Sequence, residues 1–406
     1  MHTIKIASLP ARGNPNNPYV DLFYDALTQH NIELIGKIEI ENTWLNNSQP
    51  DAIHFHWPEN VWREYSTSKN PRFFRPFIRE KIPGGWRTIK YLDMLTSQKW
   101  YKKQLRTLDK VKGYYHFSRF IAHAKKNNTS IIWTYHNAEI HEGSDFIDRL
   151  GYKALASMSD LVIFHSSIAQ KDFLKKYNPK CQTLIMPHGN YDGVYPPARQ
   201  YKTILTELGL TDKLPIISCL GMLRTYKGLD TAVKAAALLT GKVQFLCAGW
   251  PHPSFDLQSL GEAINALPNA VLVPNFLSNQ QFSDFTSVSD CLVMPYKKIT
   301  GSGALLAALT LSRGVIASDL PYFREILEQH PNAGALTPTN DPQKLADSIE
   351  LYLAIPHHIR NASAKALADT YAWSQLVAPI AKAIHSLTCD SSTISCNKNT
   401  DHNEKI

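Results

Sequence analysis

The sequence has no apolar run of the roughly 18 residues that a membrane-spanning helix needs. Its N-terminus, MHTIKIASLP, lacks a charged segment followed by a long apolar one, so it reads as a first buried strand rather than a signal peptide. The six cysteines (Cys181, Cys219, Cys247, Cys291, Cys389 and Cys396) show no CxxC spacing. That argues against structural zinc and for a reducing, cytoplasmic setting. Cys219, Cys247 and Cys291 sit inside apolar strand-like runs and read as small core residues. Acidic residues are scarce in one place. Residues 61–130 hold 17 Lys/Arg against 4 Asp/Glu, so this stretch carries more than the whole net charge of +8.

That basic excess is interleaved with aromatics: Trp62, Phe73, Phe74, Phe77, Trp86, Tyr91, Trp100 and Tyr101. Cations with interfacial rings suit an anionic membrane surface. A solvated helical face with its rings turned inward fits equally. No nucleic-acid recognition motif accompanies the charge, so no nucleic-acid partner is expected.

With 406 residues and 44% apolar content, the chain suits two domains of about 190 residues each. Strand-like and helical runs alternate throughout, which predicts an α/β fold with parallel sheets and helices on both faces. In the first half, strands at Ile4–Ser8, Ala52–His56 and Ser130–Tyr135 run into polar loops. Such loops at the carboxyl ends of parallel strands are where ligands bind. They carry Gly13 and Asn14, then His54, His56, Trp57 and Glu59, then His136, Asn137, His141, Glu142 and Asp145. Imidazole and carboxylate groups in one loop are material for acid–base chemistry near neutral pH. His136 and His141 lie five apart with no third ligand at a helical interval, so no metal site is expected.

A proline- and glycine-rich stretch, LIMPHGNYDGVYPP (184–197), marks a linker and places His188 at the hinge. A second βα series follows. ISCLGMLRTYKGLD (217–230) reads as a buried strand, a turn at Gly221, and Arg224 and Lys227 just before a helix. Two cations there suit a diphosphate. Gly301, Ser302 and Gly303 precede another apolar helix, whose first N–H groups form a second phosphate cradle. Glu325 in PYFREIL is a candidate for ribose hydroxyls. Pro379 should kink or split the helical segment 371–387, and the polar tail from Cys389 is expected to be disordered.

These residues resemble the GT-B glycosyltransferases of the large group 1 type. GMLRTYKGLDTAVKAA (221–236), FLCAGW (245–250), SDCLVMPY (289–296) and SGALLAALTLSRGVIASDLPYFREIL (302–327) carry the resemblance in the second half. HFHWPE, WTYHNAEIHE and PHGNYDGVYP look like a bacterial exopolysaccharide branch that includes mannosyltransferases. The resemblance implies two Rossmann-like doubly wound domains facing a cleft. Residues 1–195 would bind the acceptor and 196–370 the nucleotide sugar. A helix at 371–388 would pack back on the first domain, with a disordered tail at 389–406.

The implied donor is GDP-mannose, with a UDP-sugar as the alternative, and the implied acceptor is a saccharide or lipid-linked saccharide. The implied setting is the cytoplasm or the inner face of its membrane, and no cofactor is implied. Retaining members carry two glutamates eight residues apart. The matching positions here are Ile299 and Ala307, or Thr300 and Ala308. That departure favours an inverting, metal-independent displacement with Glu142 as base and His136 or Asp145 behind it. Arg224, Lys227, Gly301, Ser302, Gly303, Glu325 and His188 would hold the donor. A retaining transferase and a non-catalytic nucleotide-sugar or glycan-binding module are the competing implications.

Overall fold

A computed structural model describes residues 3–13, 17–63, 99–136 and 145–398. Asn14, Glu142, the basic aromatic stretch 64–98 and the last eight residues lie outside the described residues. The chain divides into two compact units, Met1–Phe164 with Gln170–Leu184 and Pro379–Ile406, and His165–Ala169 with Ile185–Ala378. The main division falls at residue 185, where the sequence suggested 195.

The first unit comprises β1 (Ile4–Leu9), α1 (Tyr19–Thr28), β2 (Ile32–Lys37), α2 (Asn42–Ser48), β3 (Ala52–Phe55), α3 (Glu59–Arg63), α4 (Lys99–Lys126), β4 (Ser130–Tyr135), α5 (Phe146–Met158) and β5 (Leu161–Phe164). α6 (Ser167–Tyr177) and β6 (Gln182–Ile185) complete its layers. The six-stranded sheet runs β2-β1-β3-β4-β5-β6, and its registered neighbours pair in parallel. β3, β4 and β5 are buried along their whole length, as expected of strands covered on both faces. α1 lays Tyr19, Val20, Phe23, Tyr24 and Leu27 along one buried stripe. The chain order reverses between β1 and β3. Their carboxyl ends carry the Gly13 loop and His56–Glu59.

The second unit comprises α7 (Tyr201–Leu208), β7 (Ile216–Leu220), α8 (Leu229–Leu238), β8 (Gln244–Ala248), α9 (Leu257–Asn265), β9 (Ala270–Val273), α10 (Asn279–Val288), β10 (Cys291–Met294), α11 (Gly303–Thr310), β11 (Val315–Ser318), α12 (Pro321–Leu327), β12 (Gly334–Thr337), α13 (Pro342–Leu353) and α14 (His357–Asp369). Its sheet runs β12-β11-β10-β7-β8-β9, and every registered pair is parallel. Cys219, Cys247 and Cys291 are buried among aliphatic side chains, so burial raises their thiol pKa values. The reversal falls between β7 and β10, the crevice position of doubly wound sheets.

The last helix, α15, runs from Trp373 to Lys398 with Pro379 inside it. It belongs to the second unit through Ala378 and to the first from Pro379 onward, where His385 Nε2 lies 2.7 Å from the His30 carbonyl. Of the kink or split expected at Pro379, the split does not occur. Val377, Ile380, Ala381 and Ile384 are buried on either side of it and hold the helix through one lost N–H bond. The tail expected to lose order at Cys389 continues as helix to Lys398, with no glycine or proline to stop it.

Candidate active site

In the second unit, the two loops that leave β7 and β10 are locked together. Gly228 has φ of 65°, and a Cβ there would stand 1.9 Å from the Pro295 carbonyl oxygen, so only glycine permits this approach. The Lys297 N–H donates to the Tyr226 carbonyl at 2.7 Å, and the rings of Tyr226 and Tyr296 meet edge to face. A side-chain hydrogen bond joins Tyr296 to Ser302. The diphosphate candidates of the sequence therefore share one rigid frame.

Lys227 is only 9% exposed, and its ammonium lies 5.5 Å from the centre of the Tyr296 ring. It makes no ion pair among the described residues. The groups that act on its charge are the Cys219 and Cys247 thiols and the Arg224 guanidinium, with no carboxylate among them. Burial is the main cause that lowers its pKa to about 8, and Arg224 adds to the shift. Arg224 flanks the short 3₁₀ turn Thr225–Lys227, and its Nε donates to the Met222 sulfur at 3.0 Å. It too makes no ion pair among the described residues. Two cations at one strand end that make no ion pair among the described residues are candidates for binding an anion.

The glycine loop faces the same frame. The Ser302 hydroxyl caps α11, accepting from the Leu305 N–H at 3.3 Å. The N–H groups of Gly303 and Ala304 stand in the first turn, where helices leave donors without intrahelical acceptors. The loop is held from outside by the Ser166 hydroxyl on the Thr300 carbonyl and the Tyr322 hydroxyl on the Ser302 carbonyl, both at 3.4 Å. Gly303 backs onto Tyr191, whose hydroxyl would lie 2.4 Å from a Cβ there. Ala307 and Ala308 are buried in α11.

His188 joins this cluster with a defined tautomer. Its Nδ1 lies 2.8 Å from the Gly189 carbonyl, which can only accept, so Nδ1 carries the proton and Nε2 is the unprotonated nitrogen, 3.5 Å from the Tyr191 hydroxyl. Burial lowers its pKa to about 4, so it is neutral near pH 7. It can accept from a hydroxyl but does not clamp phosphate as a cation. Glu325 is engaged differently from the ribose contact expected of it. Its carboxylate accepts from the Ser167 N–H at 3.3 Å and the Ser167 hydroxyl at 3.2 Å, at the start of α6.

In the first unit, the structure separates the sequence candidates. His54 is fully buried, with Nδ1 2.7 Å from the Tyr24 hydroxyl and Nε2 2.8 Å from the Thr134 hydroxyl. Burial, with His136 nearby, lowers its pKa to about 3. Both of its ring nitrogens are satisfied within the core.

Glu59 is also buried at the start of α3, hydrogen-bonded to Tyr152, and burial raises its pKa. It does not line an open site. Asp145 caps α5 through a reciprocal box with Asp148 and pairs with Lys110. Capping and pairing occupy the carboxylate considered as a third candidate base.

His56 and His136 do come together, with Nδ1 of the first 3.3 Å from Nε2 of the second. Trp57 stacks on His136 with ring centres 4.4 Å apart, and Tyr19 meets it edge-on. The Gly13 N–H donates to the Asp21 carboxylate. Among the described residues no group of three or more His, Cys, Asp and Glu side chains could hold a metal ion.

Sequence inspection missed the buried network behind Glu59. Asp148 accepts from Trp62 Nε1 at 2.8 Å and from Arg63 at 3.0 and 2.7 Å. Burial pushes the Asp148 pKa up, but these bonds and the Asp145 N–H outweigh it and hold it at about 2. Its only local signal was the Asp-x-x-Asp spacing at a helix start. Tyr191 and Tyr296 were also missed, because their roles depend on residues far away in the chain.

Residues 214–354 match the family described as Glycosyl transferases group 1. Over 151 residues the chain is 27% identical to the alpha-D-kanosaminyltransferase of Streptomyces kanamyceticus, covering 36% of this chain and 38% of that protein. Over 255 residues it is 24% identical to the alpha-maltose-1-phosphate synthase of Mycolicibacterium smegmatis, covering 58% and 64%. The matches thus span less than two thirds of either relative.

Among solved structures, sucrose-phosphate synthase from Thermosynechococcus elongatus superposes with a TM-score of 0.65 at 17% identity, covering 95% of this chain and 100% of that one. Anabaena HepE in complex with UDP gives 0.62 at 14% identity, covering 95% and 100%. The two six-stranded parallel sheets and these likenesses define a GT-B fold, within which residues 214–354 match the group 1 glycosyltransferase family.

Proposed function

We propose that the protein transfers a hexose from a nucleoside diphosphate sugar to a saccharide acceptor. The observation that carries this is Lys227, a buried ammonium with no carboxylate partner among the described residues, in the frame shared with Arg224 and the Gly301–Gly303 loop at the sheet's reversal point. An acceptor oxygen attacks the anomeric carbon, and a base takes its proton. The bond to the diphosphate breaks, with its electron pair leaving on the phosphate oxygen. Arg224, Lys227 and the first-turn N–H groups of α11 stabilise that charge. His188 Nε2, an acceptor that already lies 3.5 Å from the Tyr191 hydroxyl, suits a sugar hydroxyl approaching beside it. Glu142 remains the preferred base and His136 the second, since Asp145 is taken up by capping and pairing.

The motifs of the sequence favour GDP-mannose as donor and a lipid-linked saccharide of exopolysaccharide synthesis as acceptor, worked on at the inner membrane face. The absence of glutamates at Ile299 and Ala307 favours inversion. A specific observation favours a second choice: HepE of the same fold was solved with UDP, and the named relatives carry alpha-linked products in their names. A retaining transfer from a UDP-sugar is therefore the alternative. A thermal-shift series with GDP, UDP and their sugars separates the donors, because a ligand of the folded state raises its stability. Stabilisation by GDP alone supports the first choice, and stabilisation by UDP alone supports the second. NMR of the product anomer then tests inversion. A chain that binds nucleotide sugar but neither transfers nor hydrolyses it would instead be a binding module.

A further inference from the structure

α4 carries two apolar stripes on opposite sides. The inner one, Phe117, Phe120, Ile121 and Ala124, is buried in the first unit. One such stripe is all a helix needs to join a core. The outer one consists of Leu108, Val111 and Tyr115, which are 57, 42 and 55% exposed. Their spacing of three and four residues aligns them along one side of the helix.

Apart from Asp109, which follows Leu108, the charges along this outer stripe have a single sign. From residue 110 to residue 126 there is no aspartate or glutamate. Lys110 and Lys125, at the flanks, pair inward with Asp145 and Asp160. Lys112, Arg119 and Lys126 share the outer side and are exposed. The Arg119 guanidinium lies over the Tyr115 ring at 5.6 Å and donates to its hydroxyl at 3.2 Å, so ring and cation are presented as one unit.

Aliphatic side chains, a tyrosine and unopposed cations on one helical side match the boundary layer of an anionic bilayer. There, apolar groups enter the acyl region and cations meet phosphate head groups. A second copy of the same surface would place like charges against each other. Leucine and valine in the middle of the stripe have no use against a nucleic-acid backbone.

We propose that Leu108, Val111 and Tyr115, with Lys112, Arg119 and Lys126, form a docking surface for anionic lipid. This rests on the lipid-linked acceptor reading for its purpose. Its test uses no sugar, so the two can fail separately.

The full-length protein is sedimented with vesicles of phosphatidylcholine alone, or of phosphatidylcholine with phosphatidylglycerol. Binding to the anionic vesicles only, or far more strongly to them, is expected. The triple variant K112E/R119E/K126E should weaken that binding by on the order of 100-fold, since each basic residue near such a surface is worth about a fivefold change or more. The triple variant L108Q/V111Q/Y115Q should weaken it by about tenfold or more even at low salt. Thermal unfolding, together with the nucleotide-induced shift, confirms that each variant is folded. If a variant fails to fold, hydrogen exchange of α4 in the wild-type protein replaces it, and protection by anionic vesicles is expected. Binding unaltered by both variants, equal binding to neutral vesicles, or no protection of α4 overturns the proposal. So does loss of a self-associated dimer, or of duplex DNA binding, in place of vesicle binding.

Discussion

The reversal points of the two sheets are built alike and treat buried charge in opposite ways. In the first unit the buried ionisable groups around it are answered from within. His54 has Tyr24 and Thr134, Glu59 has Tyr152, and Asp148 has Arg63 and Trp62. In the second unit Lys227 is buried, no carboxylate is among the groups that act on its charge, and neither it nor Arg224 makes an ion pair among the described residues. An internally compensated group stabilises or positions the fold, whereas an uncompensated one is a candidate for holding a ligand. The same strand-end position thus has two meanings, and the partner list decides between them.

The sharpest way to break this contrast is a crossed pair of substitutions. Asp148→Ala removes the buried carboxylate that accepts from Arg63 and the Trp62 N–H, and should cost about 3 kcal/mol or more in urea unfolding. Lys227→Met removes a buried cation that no carboxylate among the described residues neutralises, so unfolding should be unchanged or shifted toward greater stability. Nucleotide affinity should nevertheless fall by on the order of 100-fold, as expected for charge-assisted bonds to phosphate. If Lys227→Met unfolds the protein as readily as Asp148→Ala does, the contrast fails.

A smaller effect follows from pH. Lys227 has a pKa of about 8 in the folded protein against 10.5 for an unperturbed lysine. Between these values the unfolded chain binds more protons, so the contribution of this site to stability rises with pH across that window. Diphosphate favours the charged form, so binding should take up a proton and weaken as pH rises above about 8. The loss approaches tenfold per pH unit. Calorimetric titration on either side of that value checks this, and Lys227→Met should abolish the dependence.

The smallest expected effect tests the frame. In Gly303→Ala the new methyl meets the Tyr191 hydroxyl, which should cost about 1–2 kcal/mol in thermal unfolding. Tyr191→Phe in the same chain should recover most of it, because the next ring atom lies 3.4 Å away. Failure of the second substitution to rescue the first would show that the loop is held otherwise.

Much of the fold was legible in the sequence because parallel strands buried on both faces are written as short apolar runs. IISCL, FLCA and CLVM are such runs, and glycines follow where the chain turns sharply. The placement of Arg224, Lys227 and Gly301–Gly303 was legible for the same reason, since their distance from a strand end or helix start is local. The roles of His54, Glu59 and Asp145 were not. An exposed catalytic carboxylate and a helix cap use the same residue at the same kind of position. Only the neighbours distinguish them, and for His54 one of these lies 80 residues away.

The sequence by itself determined where strands, helices and glycine turns fall, because periodicity and backbone stereochemistry act over a few residues. It also determined which charged residues lie at strand ends. Only the tertiary structure decided which of those charges have partners. Burial and pairing are set by side chains brought together from distant segments, as when Pro295 closes over Gly228, Tyr191 over Gly303 and Tyr296 beside Lys227.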